Sequence, residues 1–220
     1  MNSIALQDEE LTSILLIDDH PLLRKGLAQL LDEEEELSVV GEASDGQTGL
    51  DLAIKLEPDL ILLDLNMKGM DGLATLKAMR NAGVASRVIA LTVSEHREDV
   101  SAMFKAGVDG YLLKDMEPEE LLEKVSEAAT GKLVIDDRLG QVLASVLRPE
   151  EEKTSKLDLL TPKEKEVLFF IAEGDANKVI ARKMNISEGT VKVHVKRVLR
   201  KLSFRSRVEA AVWVVNQKVH

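Results

Sequence analysis

Three carboxylates and one ammonium each follow a short apolar run: Asp18 and Asp19 after Ile14–Ile17, Asp64 after Leu60–Leu63, and Lys114 after Tyr111–Leu113. If those runs are strands lying side by side, the four groups converge on one pocket. Carboxylate oxygens are hard ligands suited to Mg²⁺, which keeps several waters and takes one or two carboxylates directly. A carboxylate beside that cation can attack phosphorus, because the metal screens its repulsion from an incoming phosphoryl group. Asp64 is therefore the candidate nucleophile. Thr92, at the end of a fourth run, can donate a hydroxyl hydrogen bond to a phosphoryl oxygen, and Lys114 can pair with another as a compact point charge. Taken singly, each acid reads as a helix cap or a solvated loop residue. Taken together, the three acids, Thr92 and Lys114 at the ends of four strands point to a site.

The elements that must position them are legible as alternating patterns. Strands are expected at 14–18, 38–42, 60–64, 88–92 and 109–113, mostly as continuous apolar runs, as suits strands covered on both faces. Leu23, Leu27, Leu30 and Leu31 mark one helical stripe between them, and Leu73, Leu76 and Met79 another. Pro21 and Pro118 suit first helical turns, where no amide donor is lost. The pattern predicts an α/β fold, a doubly wound, five-stranded parallel sheet of flavodoxin-like type, which binds ligands at the carboxyl ends of its strands. His20 suits a loop contact or a helix start better than ligation. The acidic run Asp32–Glu36 suits a solvated helix end.

The net charge of −10 conceals a division. Residues 1–155 carry 15 Lys+Arg against 32 Asp+Glu, whereas residues 156–220 carry 14 against 7, so the halves are −17 and +7. A compact basic segment after an acidic one suggests a polyanion-binding domain, although charge alone also fits a solvated basic face. The absence of cysteine excludes disulfides and thiolate metal sites and fits a cytoplasmic protein. The start lacks the pattern of a signal peptide, and no apolar run is long enough to span a bilayer, so no membrane association is expected.

The last 64 residues predict an all-α, four-helix domain. Thr161-Pro-Lys-Glu164 is a capping box with proline at the first helical position, followed by Val167, Phe170 and Ile171 at helical spacing. A short helix over about 177–184 should turn Ile180 and Met184 inward, with Asn185-Ile-Ser187 as the turn and Ser187 capping a longer helix. On that helix Val191, Val195, Val198 and Leu202 form one stripe, and Lys192, Lys196 and Arg200 form a row elsewhere, extended by Arg197 and Lys201. A rigid helix with a basic outer face after a tight turn is what a helix-turn-helix places in the major groove. A second capping box, Ser206-Arg-Val-Glu209, opens a last helix expected to bury Val208, Ala211, Val212 and Val215. The chain thus divides into a tail at 1–11, an acidic domain at 12–131, a tether helix and linker at 132–156, and the basic domain at 157–220.

Residues 12–131 resemble the receiver domain of two-component response regulators through Asp18-Asp19-His20-Pro21, Leu62-Leu-Asp64-Leu-Asn-Met-Lys-Gly-Met-Asp-Gly72, Leu91-Thr92 and Tyr111-Leu-Leu-Lys114-Asp115. The resemblance implies phosphorylation of Asp64 by a sensor histidine kinase. It implies Mg²⁺ held by Asp18, Asp19, Asp64 and the main-chain carbonyl of Asn66, and a switch pair in Thr92 and Tyr111, the ring turning inward as the hydroxyl moves toward the phosphate. Lys68 stands where proline is common, and Asp115 replaces the proline that often follows the lysine. Residues 157–220 resemble LuxR/FixJ-type output domains through Leu160-Thr-Pro-Lys-Glu164, Glu173-Gly174, Asn177-Lys178, Ile180-Ala181, Ile186-Ser187, Thr190-Val-Lys-Val-His194 and Ser206-Arg207. By that resemblance Lys192, Val193 and Lys196 face base edges of double-stranded DNA, with Thr190, Arg197, Arg200 and Lys201 on phosphates. End to end, the chain is similar to the nitrate/nitrite response regulators.

The expectation is a transcription factor, not an enzyme, whose acidic receiver covers the basic helix until phosphorylation releases output-domain homodimers onto DNA half-sites, with RNA polymerase a further candidate partner. A constitutive DNA-binding protein with a docking-only receiver is an alternative. So is a Mg²⁺-dependent phosphohydrolase, against which stands Asn66, where a general acid two positions after the nucleophile would be needed.

Overall fold

Continuous apolar runs become strands shielded on both faces, and the structure, a computed structural model, has β1 (Thr12–Ile17), β3 (Leu60–Asp64), β4 (Arg87–Thr92) and β5 (Gly110–Leu113) built largely this way, with β2 (Leu37–Ala43), which carries Ser38 and Glu42, only partly covered. It describes residues 11–93, 96–136, 138 and 156–217. Helices α1 (Pro21–Asp32), α2 (Gly46–Leu56), α3 (Gly72–Asn81), α4 (Arg97–Ala106) and α5 (Pro118–Ala129) alternate with the strands. Every residue of β3, β4 and β5 is buried, because helices cover both sheet faces.

The sheet has six strands, in the order β2-β1-β3-β4-β5-β6, all parallel. The sixth, β6 (Val134–Ile135), pairs with Gly110 and Tyr111 of β5, within the segment expected to form a tether. Two residues are too few to show an alternating period. The tether helix and linker otherwise lie largely outside the described residues, as does nearly all of the tail. Strand order reverses between β1 and β3, so the loops after them diverge and leave a crevice at their carboxyl ends.

Helix α1 departs from its expected stripe. Leu27 and Leu31 are buried, but Leu23 is 37% exposed. Arg24 takes the inward position one turn before Leu27 and sends its guanidinium to the carbonyl of Asp18 at 2.6 Å and to Glu42 at 3.1 Å. Pro21 and Pro118 occupy first turns as expected. The exposed acidic run ends α1, and Asp32 accepts from the Val39 amide at 3.0 Å.

A 3₁₀ turn (Lys156–Leu159) leads into the second domain, built from α6 (Pro162–Ala172), α7 (Asn177–Met184), α8 (Glu188–Leu202) and α9 (Arg207–Gln217). Both halves of the Thr161/Glu164 capping box form. Asn185, in the left-handed region at φ 53°, ends α7, and Ser187 caps α8 through the Thr190 amide. Val191, Val195, Val198 and Leu202 are buried as expected, as are Ile180 and Met184. In α6, Leu168 is buried with Val167 and Ile171, while Phe170 is only partly covered.

The buried face of α9 differs from the expected one. Ala210 and Val214, one turn apart, enter the core with Val208, whereas Ala211 and Val212 are half-buried and Val215 is 51% exposed. The Ser206 hydroxyl accepts from the Glu209 amide, but the Glu209 carboxylate reaches the Arg205 amide at 2.7 Å and not that of Ser206. This half-formed box sets α9 so that Trp213 meets Phe204 at 5.6 Å between ring centroids.

Candidate functional site

The carboxyl ends of β1 and β3 lie beside each other, Ile17 against Leu63, so the residues after them share one crevice. Asp18 and Asp64 are buried, 6% and 1% exposed, and Asp19 is half-buried. Lys114, one residue beyond β5, reaches across to Asp18 at 2.7 Å and Asp64 at 2.9 Å. The four groups singled out by their spacing meet as expected.

The crevice suits a divalent cation. One carboxylate oxygen each of Asp18, Asp19 and Asp64 is buried without a hydrogen bond; those of Asp18 and Asp64 are only ion-paired to the ammonium. Lys114 faces two of these oxygens and His20 Nδ1 the third, yet three carboxylates crowd this one crevice, a hard-oxygen donor set suited to a further cation. One ligand atom from each of Asp18, Asp19, His20 and Asp64 falls within a 4.8 Å cluster. His20 adds what was not expected of it: its Nδ1 lies 3.0 Å from Asp19, 3.2 Å from Asp18 and 3.7 Å from Asp64. It also heads α1, with its amide on Asp18 at 2.8 Å and no side-chain cap.

The loop after Asp64 is tied back to the same acids. The Asn66 amide donates to Asp64 at 3.1 Å, and the Lys68 amide to Asp19 at 3.1 Å, so the residue standing where proline is common supplies a donor that proline lacks. Asp71 caps α3 through the Ala74 amide at 2.7 Å. Asp115 follows Lys114 without a cis bond and pairs with Arg138 at 3.0 Å.

Thr92 and Tyr111 lie in adjacent strands and are both fully buried. Their side chains hydrogen-bond, and the Asn66 side-chain amide donates to the Thr92 hydroxyl at 3.4 Å. Burial, helped by Asp99, pushes the Tyr111 phenol well up, and the Thr92 bond offsets this only in part. The ring is therefore already inside, and a hydroxyl chain runs from the crevice to Tyr111. Arg24, which anchors the Asp18 carbonyl from beneath, carried no sequence signal beyond one helical position.

The basic helix α8 does not face solvent freely. Lys192 Nζ donates to the Glu57 carbonyl at 3.0 Å and pairs with Asp59 at 3.1 Å, both in the receiver. Lys196 packs over Gly83, where a Cβ would stand 2.9 Å from Lys196 Cε. Ala85 packs on the helical core of the second domain. Below, the Arg207 amide donates to Asp109 at 3.2 Å and Arg205 donates to the Lys105 carbonyl. At Gly131, φ +110°, an added Cβ would meet the Gly174 carbonyl oxygen at 1.8 Å, so this approach of the domains requires glycine. Thr190, Val193, Arg197 and Arg200 are exposed. Lys201 is already paired, with buried Glu164 at 2.6 Å, and holds α8 to α6.

A carboxylate crevice with a lysine and a hydroxyl relay, at the switch point of a parallel sheet and joined to a helix-turn-helix, defines a phosphorylation-controlled regulator. The chain belongs to the response regulators of this build: residues 14–126 match the response regulator receiver domain, and residues 158–214 match the luxR family of bacterial regulatory proteins. It is 50% identical to the nitrate/nitrite response regulator protein NarL of Escherichia coli K12, over 97% of this chain and all of that protein. It is 48% identical to NarP of the same strain, over 93% of this chain and 95% of that one. Among solved structures it resembles a complex of the response regulator RcsB with DNA, at 26% identity and a TM-score of 0.56, over 94% of this chain and 98% of the other. No described helix is long and apolar enough to cross a membrane.

Proposed function

We propose that Asp64 is the phosphoryl acceptor and that its modification releases α8 from the receiver to bind DNA. A carboxylate oxygen of Asp64 attacks the phosphorus of a phosphohistidine on a sensor kinase in the cytoplasm; the P–N bond breaks and the imidazole nitrogen keeps the electron pair. Asp18, Asp19, Asp64 and the Asn66 carbonyl would hold Mg²⁺, which when bound screens the negative charge of the carboxylate and the phosphoryl oxygens. Lys114, now on Asp18 and Asp64, pairs with a phosphoryl oxygen. The Thr92 hydroxyl exchanges its Tyr111 partner for another, which couples the crevice to β5 and its surroundings.

The observation that carries this reading is the Lys192 ammonium bound to the Glu57 carbonyl and Asp59. A side chain expected at a base edge is held by the receiver, so DNA and receiver compete for one helix face. Once released, Lys192, Val193 and Lys196 read bases while Thr190, Arg197 and Arg200 position the helix on phosphates. Lys201 contributes to that surface only if it leaves Glu164. The released domains act as homodimers on paired half-sites, at promoters where RNA polymerase is the partner of the bound dimer. The names of the NarL and NarP relatives support nitrate- and nitrite-responsive genes as targets. The test is DNA affinity of the full chain with and without a small phosphodonor and Mg²⁺. Affinity should rise on treatment in the native chain and not in Asp64→Asn; equal affinity before and after phosphorylation would refute it.

A further inference from the structure

Where the two domains meet below α8, the charges do not balance. Asp109, 1% exposed, takes Arg80 at 2.7 Å and the Val88 amide at 3.0 Å on one oxygen, and the Arg207 amide on the other. Arg80 also donates to the carbonyls of Gly107, Val84 and Ser86. That pair is complete. Two further guanidiniums, Arg87 from β4 and Arg207 from α9, are each 7% exposed, and neither makes an ion pair among the described residues. Arg207 has neutral partners, the Asn177 side chain at 2.6 Å and the Asp175 carbonyl at 2.7 Å. Arg87 donates once, to the Lys132 carbonyl, and leaves Nε and Nη1 buried with no acceptor.

Burial, and then the charge of Arg87, push the Arg207 guanidinium down to about 10. The charges of Asp109, Asp175 and Asp59 act the other way on Arg207, and that of Asp109 on Arg87, but two like charges withdrawn from water with no carboxylate in direct contact remain a costly arrangement. Both border a cavity of about 240 Å³ between the domains, far above the roughly 10–15 Å³ that one water needs. Lys178 and Arg182 of α7 line it as well. Its carboxylates are Glu36, Asp59 and Glu188, the last two approached by Lys192 at 3.1 and 3.8 Å.

We propose that this cavity binds a small tetrahedral oxyanion of the phosphate type, with Arg87 and Arg207 as its cationic pair and Arg182 at its rim. Phosphate oxygens accept several charge-assisted hydrogen bonds at once, which matches guanidinium donors better than a monovalent spherical ion does. Receiver and output domain each supply one guanidinium, so the anion binds the closed arrangement and stabilises it by linkage. The regulatory half rests on the release mechanism above; the binding half does not.

The experiment titrates inorganic phosphate into the full-length, unphosphorylated chain at constant ionic strength against chloride, followed by calorimetry and thermal midpoint. One saturable site is expected, with affinity reduced about tenfold or more when a charged contact is removed in Arg87→Gln. Because Arg87 is buried in a strand, Arg182→Gln supplies a variant outside the receiver core and should weaken binding by a smaller factor. Treatment with beryllium fluoride and Mg²⁺, which mimics the phosphoryl group on Asp64, should weaken binding too, and saturating phosphate should lower DNA affinity of the untreated chain. No saturable binding above the chloride control, or binding unaltered in both variants, overturns the site. Binding with no effect on DNA affinity overturns the coupling. Failure of the release mechanism appears separately, as DNA affinity unresponsive to beryllium fluoride in phosphate-free buffer.

Discussion

Replacing Asp59 with asparagine tests whether Lys192 is restrained by the receiver. Asp59 holds Ser13 through its Oδ2, which accepts from the Ser13 amide at 3.1 Å and hydroxyl at 2.7 Å, while Oδ1 faces Lys192 at 3.1 Å. Asparagine can keep its carbonyl on Ser13, which leaves its amide donor against the ammonium, a donor facing a donor. The substitution therefore spares the fold at β1 and acts on the interface. Burial alone would raise the Asp59 carboxyl, but hydrogen bonds with Glu188 and Ser13 and the charge of Lys192 hold it below its ordinary range. At neutral pH the change thus removes a full charge.

At 3.1 Å and an effective dielectric of about 20, the bare attraction is about 5 kcal/mol. Lys192 and Asp59 keep 26% and 23% side-chain exposure, and solvent screening with the entropy of fixing the lysine lowers the net contribution to about 1 kcal/mol. If closure limits DNA binding, the apparent constant scales with the fraction of open molecules. One kcal/mol then predicts about a fivefold gain in DNA affinity for the unphosphorylated chain. The phosphorylated chain, already open, should change little. Fluorescence anisotropy with a labelled duplex, on protein with and without beryllium fluoride, measures both. An equal change in the two states would place Asp59 outside the closure equilibrium, and no change in either would refute Lys192 as a restraint.

Further outcomes follow from the same contacts. Asp109→Ala strands Arg80 beside two orphaned amides, so urea unfolding should show a loss of about 3–5 kcal/mol. Thr161→Ala removes the hydroxyl that accepts from the Glu164 amide and should cost about 1 kcal/mol, read from fluorescence of Trp213, the sole tryptophan. Burial would raise the Glu164 carboxyl, but the bonds from Lys201 and Thr161 lower it from 4.5 to about 2. Because its folded value is depressed, its contribution is present above about 4.5 and lost as pH falls toward about 2. The acid-induced loss of output-domain stability should be shallower in Glu164→Gln.

What the sequence disclosed and what it hid separate along a physical line. The crevice was legible because strand length and the parallel arrangement fix where Asp18, Asp19, Asp64 and Lys114 must end up. The stripes of α7 and α8 were legible because Ile180, Val191, Val195 and Val198 repeat at a helical period and are buried permanently. The faces that moved, Leu23 in α1 and Val212 in α9, moved because a neighbour outside the stripe took the inward position: Arg24 for the Asp18 carbonyl, and Ala210 with Val214 beside Phe204 and Trp213. The interdomain contacts left no period at all. Lys192 and Lys196 read as DNA-facing charges, Arg207 as part of the cap of the last helix and Asp109 as the start of a strand, while Asp59, Gly131 and Arg205 carried no signal, since each partner lies dozens of residues away. An interface that must open in water cannot be built like a core, because a large apolar patch exposed on opening invites association. It is built from ion pairs, single hydrogen bonds and close glycine contacts, whose net contributions are each small, as the proposed release by one phosphoryl group requires. That weakness is also what hides it from a reading of the sequence.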